Sequence, residues 1–253
     1  MLLEKLKKTV WTILVTLCRR LTPGTRRNLC ALCCETASGT DAKAALEELF
    51  RLQDLVQLRI DEAALRYGGG IHPKHRLIGY HDFFCQRIRL GEKVLDVGCG
   101  YGAVAKSLSD AGAVVTAIDI DGENIRLARS RFGDSGIDFV EADATRFLPS
   151  DPFDVIVLSN VLEHIEDRQA FLKNLLLQAK PAKFLLRVPA ETRDWCVPLR
   201  RELGLAHFSD PTHFVEYTEE TFRKEMEVAG LEVHEVIFRW GEIWAEVAPR
   251  AAR

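Results

Sequence analysis

Two hydrophobic rhythms divide the chain. From Asp41 to Arg66 apolar residues such as Ala45, Leu46, Leu49, Phe50 and Leu52 recur at intervals of three and four, the spacing of one long amphipathic helix. Asp41 can cap its start, and Gly68, Gly69 and Gly70 stop it. Beyond residue 90 the rhythm changes to short apolar runs separated by helical stretches. The runs predict strands at 93–97, 114–119, 137–141, 153–158 and 183–189; the stretches predict helices at 102–112, 121–132 and 167–179. Such alternation is the pattern of a parallel sheet covered by helices on both faces. A further helix at 218–229 leads into two strands joined around Trp240 and Gly241, which read as an antiparallel hairpin closing the sheet. The expected organisation is α/β, with a helical N-terminal region over 1–90 and a ligand-binding domain over 91–253.

The opening of the chain has its own character. An apolar run from Val10 to Cys18 lies between Lys5, Lys7 and Lys8 on one side and Arg19, Arg20, Arg26 and Arg27 on the other. The run is too short to span a bilayer. It lacks the small-residue cleavage site of a secretion signal, and arginines follow it directly. Two readings stay open for residues 1–22: a helix packing its apolar face on the α/β domain, or a basic amphipathic helix lying on an anionic membrane surface.

Composition changes this picture only modestly. A length of 253 residues accommodates one large domain with an appendage, and a net charge of −3 argues against a broad grip on nucleic acid. The seven cysteines are odd in number and unevenly spread, and Cys99 sits within a glycine turn, so a reducing, cytoplasmic setting is expected, with membrane association depending on residues 1–22. Cys30, Cys33 and Cys34 form a CxxCC cluster without the second pair a thiolate metal site wants. They read as small apolar residues on a helix.

The candidate chemistry begins at VLDVGCGYGAVAKSLSDAG, where a strand from Val94 feeds a helix through Gly98, Gly100 and Gly102. A glycine turn of this kind lets a ligand lie against bare backbone, with helix N–H groups beyond it. Gly98, Gly100 and Ala103 also satisfy GxGxxG/A, with Asp119 about 20 residues further on, so a dinucleotide site is one reading. Asp96, two places before the first glycine, makes the pattern DxGxGxG and shifts the balance. With that residue the chain resembles the class I S-adenosylmethionine-dependent methyltransferases.

The resemblance extends over residues 94 to 168. VVTAIDID ends in Asp119, matching the acidic residue that in the family holds the cofactor ribose, with Ile120 next to it. IDFVEADAT carries Asp143 where the family places an acidic group near the adenine, with Ala144 alongside. FDVIVLSNVLEHIED matches the strand and loop lining the methyl-transfer pocket and contains Ser159. Ahead of the first strand, IHPKHRLIGYHDFF resembles the segment of bacterial glycan- and quinone-pathway methyltransferases in which an arginine, here Arg76, clasps the methionine carboxylate. The resemblance thus implies a Rossmann-like, seven-stranded sheet and S-adenosylmethionine as cofactor. The residues it assigns to the cofactor are Arg76, Asp96, Gly98, Cys99, Gly100, Gly102, Asp119, Ile120, Asp143, Ala144 and Ser159.

A sulfonium donor is already activated, so the protein has to align the acceptor and remove its proton. Asn160, Glu163 and His164 share one side if SNVLEHIED turns helically. HFSDPTHFVEYTEETF then supplies His207, Asp210 and His213, where the family commonly builds its acceptor lid. In one reading His164 or His213 is a general base. In the other, Glu163, His164 and His213 hold a divalent cation, as suggested by similarity to quinone O-methyltransferases and metal-dependent small-RNA 2′-O-methyltransferases. Asn160 departs from those patterns, which have another glutamate there. No NPPY-like motif follows the fourth strand, so an oxygen acceptor on a small molecule, sugar or lipid-linked intermediate is expected. A nicotinamide-dependent oxidoreductase and a non-catalytic adaptor are the alternatives.

Overall fold

The computed structural model describes residues 2–37, 39, 41–146 and 152–250, with side chains from residue 7 onward. It contains two compact units, one ending at Arg66 and the other spanning Tyr67–Arg253. The first unit carries α1 (Leu2–Arg19), α2 (Pro23–Ala37) and most of α3 (Ala42–Tyr67). Asp41 Oδ1 accepts from the Lys43 and Ala44 backbone N–H groups at the start of α3. Cys30, Cys33 and Cys34 lie on α2, as expected, and all three are exposed.

The second unit begins with two short helices, α4 (Lys74–Leu77) and α5 (Tyr80–Cys85), and continues into the sheet. The division by packing therefore falls at residue 66, whereas the division by element type falls at 90. The reason is apolar: Tyr80, Phe83 and Phe84 are buried in the same cluster as strand residues Val94, Val115 and Val157.

Seven strands form one sheet: β1 (Lys93–Val97), β2 (Val114–Asp119), β3 (Asp138–Glu141), β4 (Val155–Ser159), β5 (Lys183–Pro189), β6 (Leu231–Arg239) and β7 (Glu242–Pro249). Their order is β3-β2-β1-β4-β5-β7-β6. The first five are parallel, and β7 runs antiparallel to both β5 and β6. Between them run α6 (Ala103–Asp110), α7 (Gly122–Phe132), α8 (Arg168–Ala179), α9 (Cys196–Glu202) and α10 (Glu219–Val228). Strands and helices fall within two or three residues of the positions the hydrophobic pattern predicts. The hairpin turn places both Trp240 (φ 55°) and Gly241 (φ 73°) in the left-handed region, the geometry that matches strand twist in a two-residue turn.

Side-chain alternation splits the core in two. Leu95, Ile156, Leu158, Phe184 and Leu186 meet Leu172 of α8 and Phe222 and Met226 of α10 on one face. Val94, Val155, Val157 and Leu185 meet Ala105 and Leu108 of α6 and Ile125 of α7 on the other. Each of these Val, Leu, Ile, Phe and Met side chains contributes roughly 1.5–3 kcal/mol by leaving water. Strand order reverses between β1 and β4, which opens a crevice beyond their carboxyl ends. Asp96, Asp119, Ser159, Glu163 and His164 lie on or just beyond the strands at that edge.

Candidate active site

The glycine turn after β1 is shaped by close contacts. Gly98 has φ +68°, and a Cβ there would lie 2.5 Å from a Val161 methyl group. A Cβ on Gly102 would lie 2.9 Å from the Phe139 ring. Gly100 differs: its φ is +53°, but a Cβ would meet nothing within 4 Å, so this glycine faces open space. Its N–H donates to Asp119 Oδ2 across 2.8 Å, which ties the turn to the end of β2. Asp119 Oδ1 accepts from the Asp121 N–H at 2.9 Å and from Asn124 at 3.2 Å, so this carboxylate is held rigidly. α6 follows Gly102, which offers no side-chain cap; the Ala105 N–H is drawn to Asp96, and the N–H groups of Ala103 and Val104 precede it at the turn.

Asp96 is buried, and its Oδ2 has no hydrogen-bond partner. Burial pushes its carboxyl up to about 7, against the opposing pull of the Ala105 N–H. Burial likewise pushes the Cys99 thiol up, so it behaves as an apolar filler of the turn. Ile120 is 71% exposed just past Asp119. Asp143 accepts from the Thr145 N–H at 2.9 Å and hydroxyl at 2.7 Å, which holds its carboxyl below the usual range, and Ala144 is half-buried beside it. Arg76 is exposed on α4, and its neighbour His75 is the residue turned toward Tyr80 and His81.

Beyond β4 the backbone departs from the helical turn that would align Asn160 with Glu163 and His164. Asn160 has φ +57°, and only Leu162–His164 forms a single short turn. Asn160 therefore lies outside the turn that carries Glu163 and His164. Its N–H donates to the Arg187 carbonyl at 2.7 Å, while its buried Oδ1 is unpartnered. Ser159 Oγ accepts from Arg187 at 3.1 Å.

Glu163 is fully buried, and both carboxylate oxygens lack a hydrogen-bond partner. Burial pushes it up to about 7. One of its oxygens and one ring nitrogen each of His164 and His213 lie within 4.8 Å of one another. Among the described residues this is the group of His, Cys, Asp or Glu side chains arranged to hold a metal ion. The imidazoles stand nearly edge to face, their centroids 4.6 Å apart.

The hydrogen bonds behind the two rings fix their tautomers. Thr212 donates its hydroxyl to Asp210 at 2.6 Å, so it accepts from His164 Nδ1 at 2.9 Å. His213 Nδ1 faces Glu216 Oε1 at 3.1 Å and donates to it. Burial alone would raise the Glu216 carboxyl, but His213, Ser209 and Arg193 bring it down to about 2. Both rings therefore carry a proton on Nδ1, which leaves Nε2 as the ring atom that can face a ligand. The Phe214 N–H donates to the Glu163 carbonyl at 2.8 Å, which joins the loop carrying His213 to the turn carrying His164. His207 takes no part in this group: its Nδ1 lies 3.2 Å from the Leu205 carbonyl and its ring packs on Phe208.

Several members of the site escape a reading of the sequence alone. Glu216 and Thr212 support the two histidines. Arg187, buried in the middle of β5, makes two bonds of 2.7 Å to Glu242 and lies over the Tyr80 ring at 3.9 Å. A lone arginine inside the apolar run KFLLRVP was the available signal for that network.

Comparisons with known proteins agree with this architecture. Residues 71–236 match the family model described as a methyltransferase domain. The ubiquinone biosynthesis O-methyltransferase of Salmonella paratyphi A is 29% identical over 170 residues, covering 56% of this chain and 65% of its own length, just under two thirds. A TehB-like methyltransferase from Corynebacterium glutamicum superposes with a TM-score of 0.53 at 21% identity, over 78% of this chain and 97% of that one. Magnesium protoporphyrin IX methyltransferase from Synechocystis, solved with bound S-adenosylhomocysteine, gives 0.52 at 19%, over 68% and 78%. Those likenesses concern the fold. The glycine turn admitted a dinucleotide as well, and the family match decides between the two: the chain belongs to the methyltransferase domain family, with the class I, S-adenosylmethionine-dependent architecture.

Proposed function

We propose that the protein transfers the methyl group of S-adenosylmethionine to a hydroxyl of a small-molecule, sugar or lipid-linked acceptor. The turn after β1 suits that cofactor on three counts: Gly100 opens onto free space, Asp96 keeps an unpartnered oxygen for a donor group, and uncapped N–H groups lie beyond. Asp119 would hold the ribose, Ile120 and Ala144 would flank the adenine with Asp143 at its amino group, and Arg76 would clasp the methionine carboxylate. In the reaction the S–CH3 bond breaks as the C–O bond forms, giving S-adenosylhomocysteine and a methyl ether, while the hydroxyl proton leaves.

The observation that carries the proposal is the Glu163 carboxylate, buried with both oxygens unsatisfied beside two imidazoles. An ionised carboxylate in that position is costly without a cation. Glu163, His164 and His213 would hold a divalent cation, which would supply Lewis-acid lowering of the acceptor hydroxyl's pKa. The chain's own groups fix the site: Thr212 and Glu216 orient the rings, and Phe214 ties the two loops together. A cavity of about 340 Å³ opens beside His164, with Ile165, Phe171, Phe214, Thr145 and Asn174 on its walls, which suits an acceptor with an apolar body. The name of the Salmonella relative, a ubiquinone biosynthesis O-methyltransferase, points the same way.

A second reading has its own support: with Nδ1 protonated on both rings, either Nε2 can take the acceptor proton directly. Chelation separates the two. Methyl transfer to a catechol or a crude acceptor extract should vanish with strong chelator and return with manganese or magnesium. Activity that persists leaves the histidine base and removes the cation.

A further inference from the structure

We infer that α1 is a membrane-docking element that lays the enzyme on an anionic lipid surface. Val10, Ile13, Leu14 and Leu17 recur at three and four along the helix, and Trp11 borders them. All five are exposed, Trp11 at 69%. The opposite side carries Lys8, Thr12, Thr16 and Arg19. Its two threonine hydroxyls are satisfied within the helix, Thr12 donating to the Lys8 carbonyl at 2.9 Å and Thr16 to the Thr12 carbonyl at 2.8 Å. That side thus needs no protein partner for its hydroxyls. An exposed leucine stripe has no such internal remedy and stays in contact with water until something covers it.

Charge identifies what covers it. Between residues 5 and 34 the chain holds seven lysines and arginines and not one of its 37 acidic residues. A second copy of the same helix would bring cation against cation. A phospholipid surface carrying negative headgroups offers apolar depth for the leucines and countercharge for Lys8, Arg19, Arg20, Arg26 and Arg27. The remaining chain holds the acidic excess and is repelled by such a surface, which confines docking to this segment. α1 has 18 residues, and no helix among the described residues is long and apolar enough to cross a bilayer, so the helix lies in the interface. Trp11, at the border of the apolar stripe, suits the headgroup level.

This inference stands apart from the proposed chemistry, because docking needs neither cofactor nor acceptor. The full-length protein should cosediment with phosphatidylcholine vesicles that contain phosphatidylglycerol, and not with phosphatidylcholine alone. Raising salt from about 0.05 to about 0.5 M should release it, since the headgroup contacts are screened. The double variant Leu14→Glu, Leu17→Glu should lose about tenfold or more in vesicle affinity, as should Arg19→Glu, Arg20→Glu. Unchanged far-UV circular dichroism and unchanged S-adenosylhomocysteine affinity would show that both variants remain folded. A blue shift of emission on vesicle addition should be absent from Trp11→Phe. Sedimentation indifferent to phosphatidylglycerol, the absence of binding at low salt, or a dimer in light scattering that Leu14→Glu dissociates would each overturn the inference.

Discussion

His213 donates its Nδ1 proton to Glu216, a carboxylate that is itself buried and held by Arg193 and Ser209. In the proposed function the pair lies behind the reactive edge, so Glu216 would act on the chemistry only through the ring it orients. Glu216→Gln should lower kcat about 10–100-fold and weaken manganese binding by a similar factor. It should leave S-adenosylhomocysteine affinity intact. Calorimetry with each ligand checks this; a variant that keeps its metal affinity would remove Glu216 from the site.

Arg187 and Glu242 form a forked ion pair almost out of reach of water, with side-chain exposures of 4% and 15%. Glu242 also accepts from Trp244 at 2.9 Å. Removing one partner strands the other, so Glu242→Ala should destabilise the fold by about 3–5 kcal/mol in urea titrations. Adding Arg187→Met should recover much of that loss. A double variant less stable than the single would refute the account.

Asp96 is predicted to release a proton when the cofactor binds. In the free protein its carboxyl is pushed up to about 7, so near pH 6.5 it is largely protonated. S-adenosylmethionine is cationic at its sulfonium and ammonium, and a positive charge nearby favours the carboxylate. The apparent binding enthalpy near pH 6.5 should therefore vary with the ionisation enthalpy of the buffer, and this dependence should disappear in Asp96→Asn.

The chain of His75, His81 and Ser107 gives a second pH signature. His81 Nδ1 lies 2.7 Å from Ser107 Oγ, and its Nε2 lies 3.2 Å from His75 Nδ1. Burial first, then His81, Lys74 and Arg187 at His75 and Arg187 at His81, lowers both imidazoles to about 4, with Asp82 opposing at His81. Unfolded histidines titrate near 6.5, so between these values the unfolded chain binds more protons. The stability this neutral pair contributes is complete above pH 6.5 and is lost as pH falls through about 4. The gap in stability between the native protein and His75→Gln, His81→Gln should accordingly narrow from pH 7 to about pH 5. A gap independent of pH would show that the two rings stay uncharged by another means.

Much of the sheet is legible in the sequence because its strands are buried on both faces. VIVLS and KFLLRVP read as apolar runs whatever their neighbours, and glycines punctuate them. Asp96, Asp119, Glu163, His164 and His213 are visible because they fall on the motifs that carry the family resemblance. Their supports are not visible. Glu216 sits among residues that look like ordinary surface, and only the path of the 205–217 loop brings it to His213. Asn160 shows the opposite failure: its spacing suggests a shared helical side, but left-handed backbone at that residue interrupts the helical turn. Local spacing predicts position along an element and says nothing of a single reversed φ angle.

The missing β-carbon of Gly98 leaves the hollow that a Val161 methyl group fills, two residues ahead of Glu163. In the proposed function the wall behind the methyl donor would thus also be the floor beneath the group that handles the nucleophile. Remodelling either side to admit a bulkier molecule displaces the other, so a change of acceptor range at this loop carries an altered hold on the donor with it.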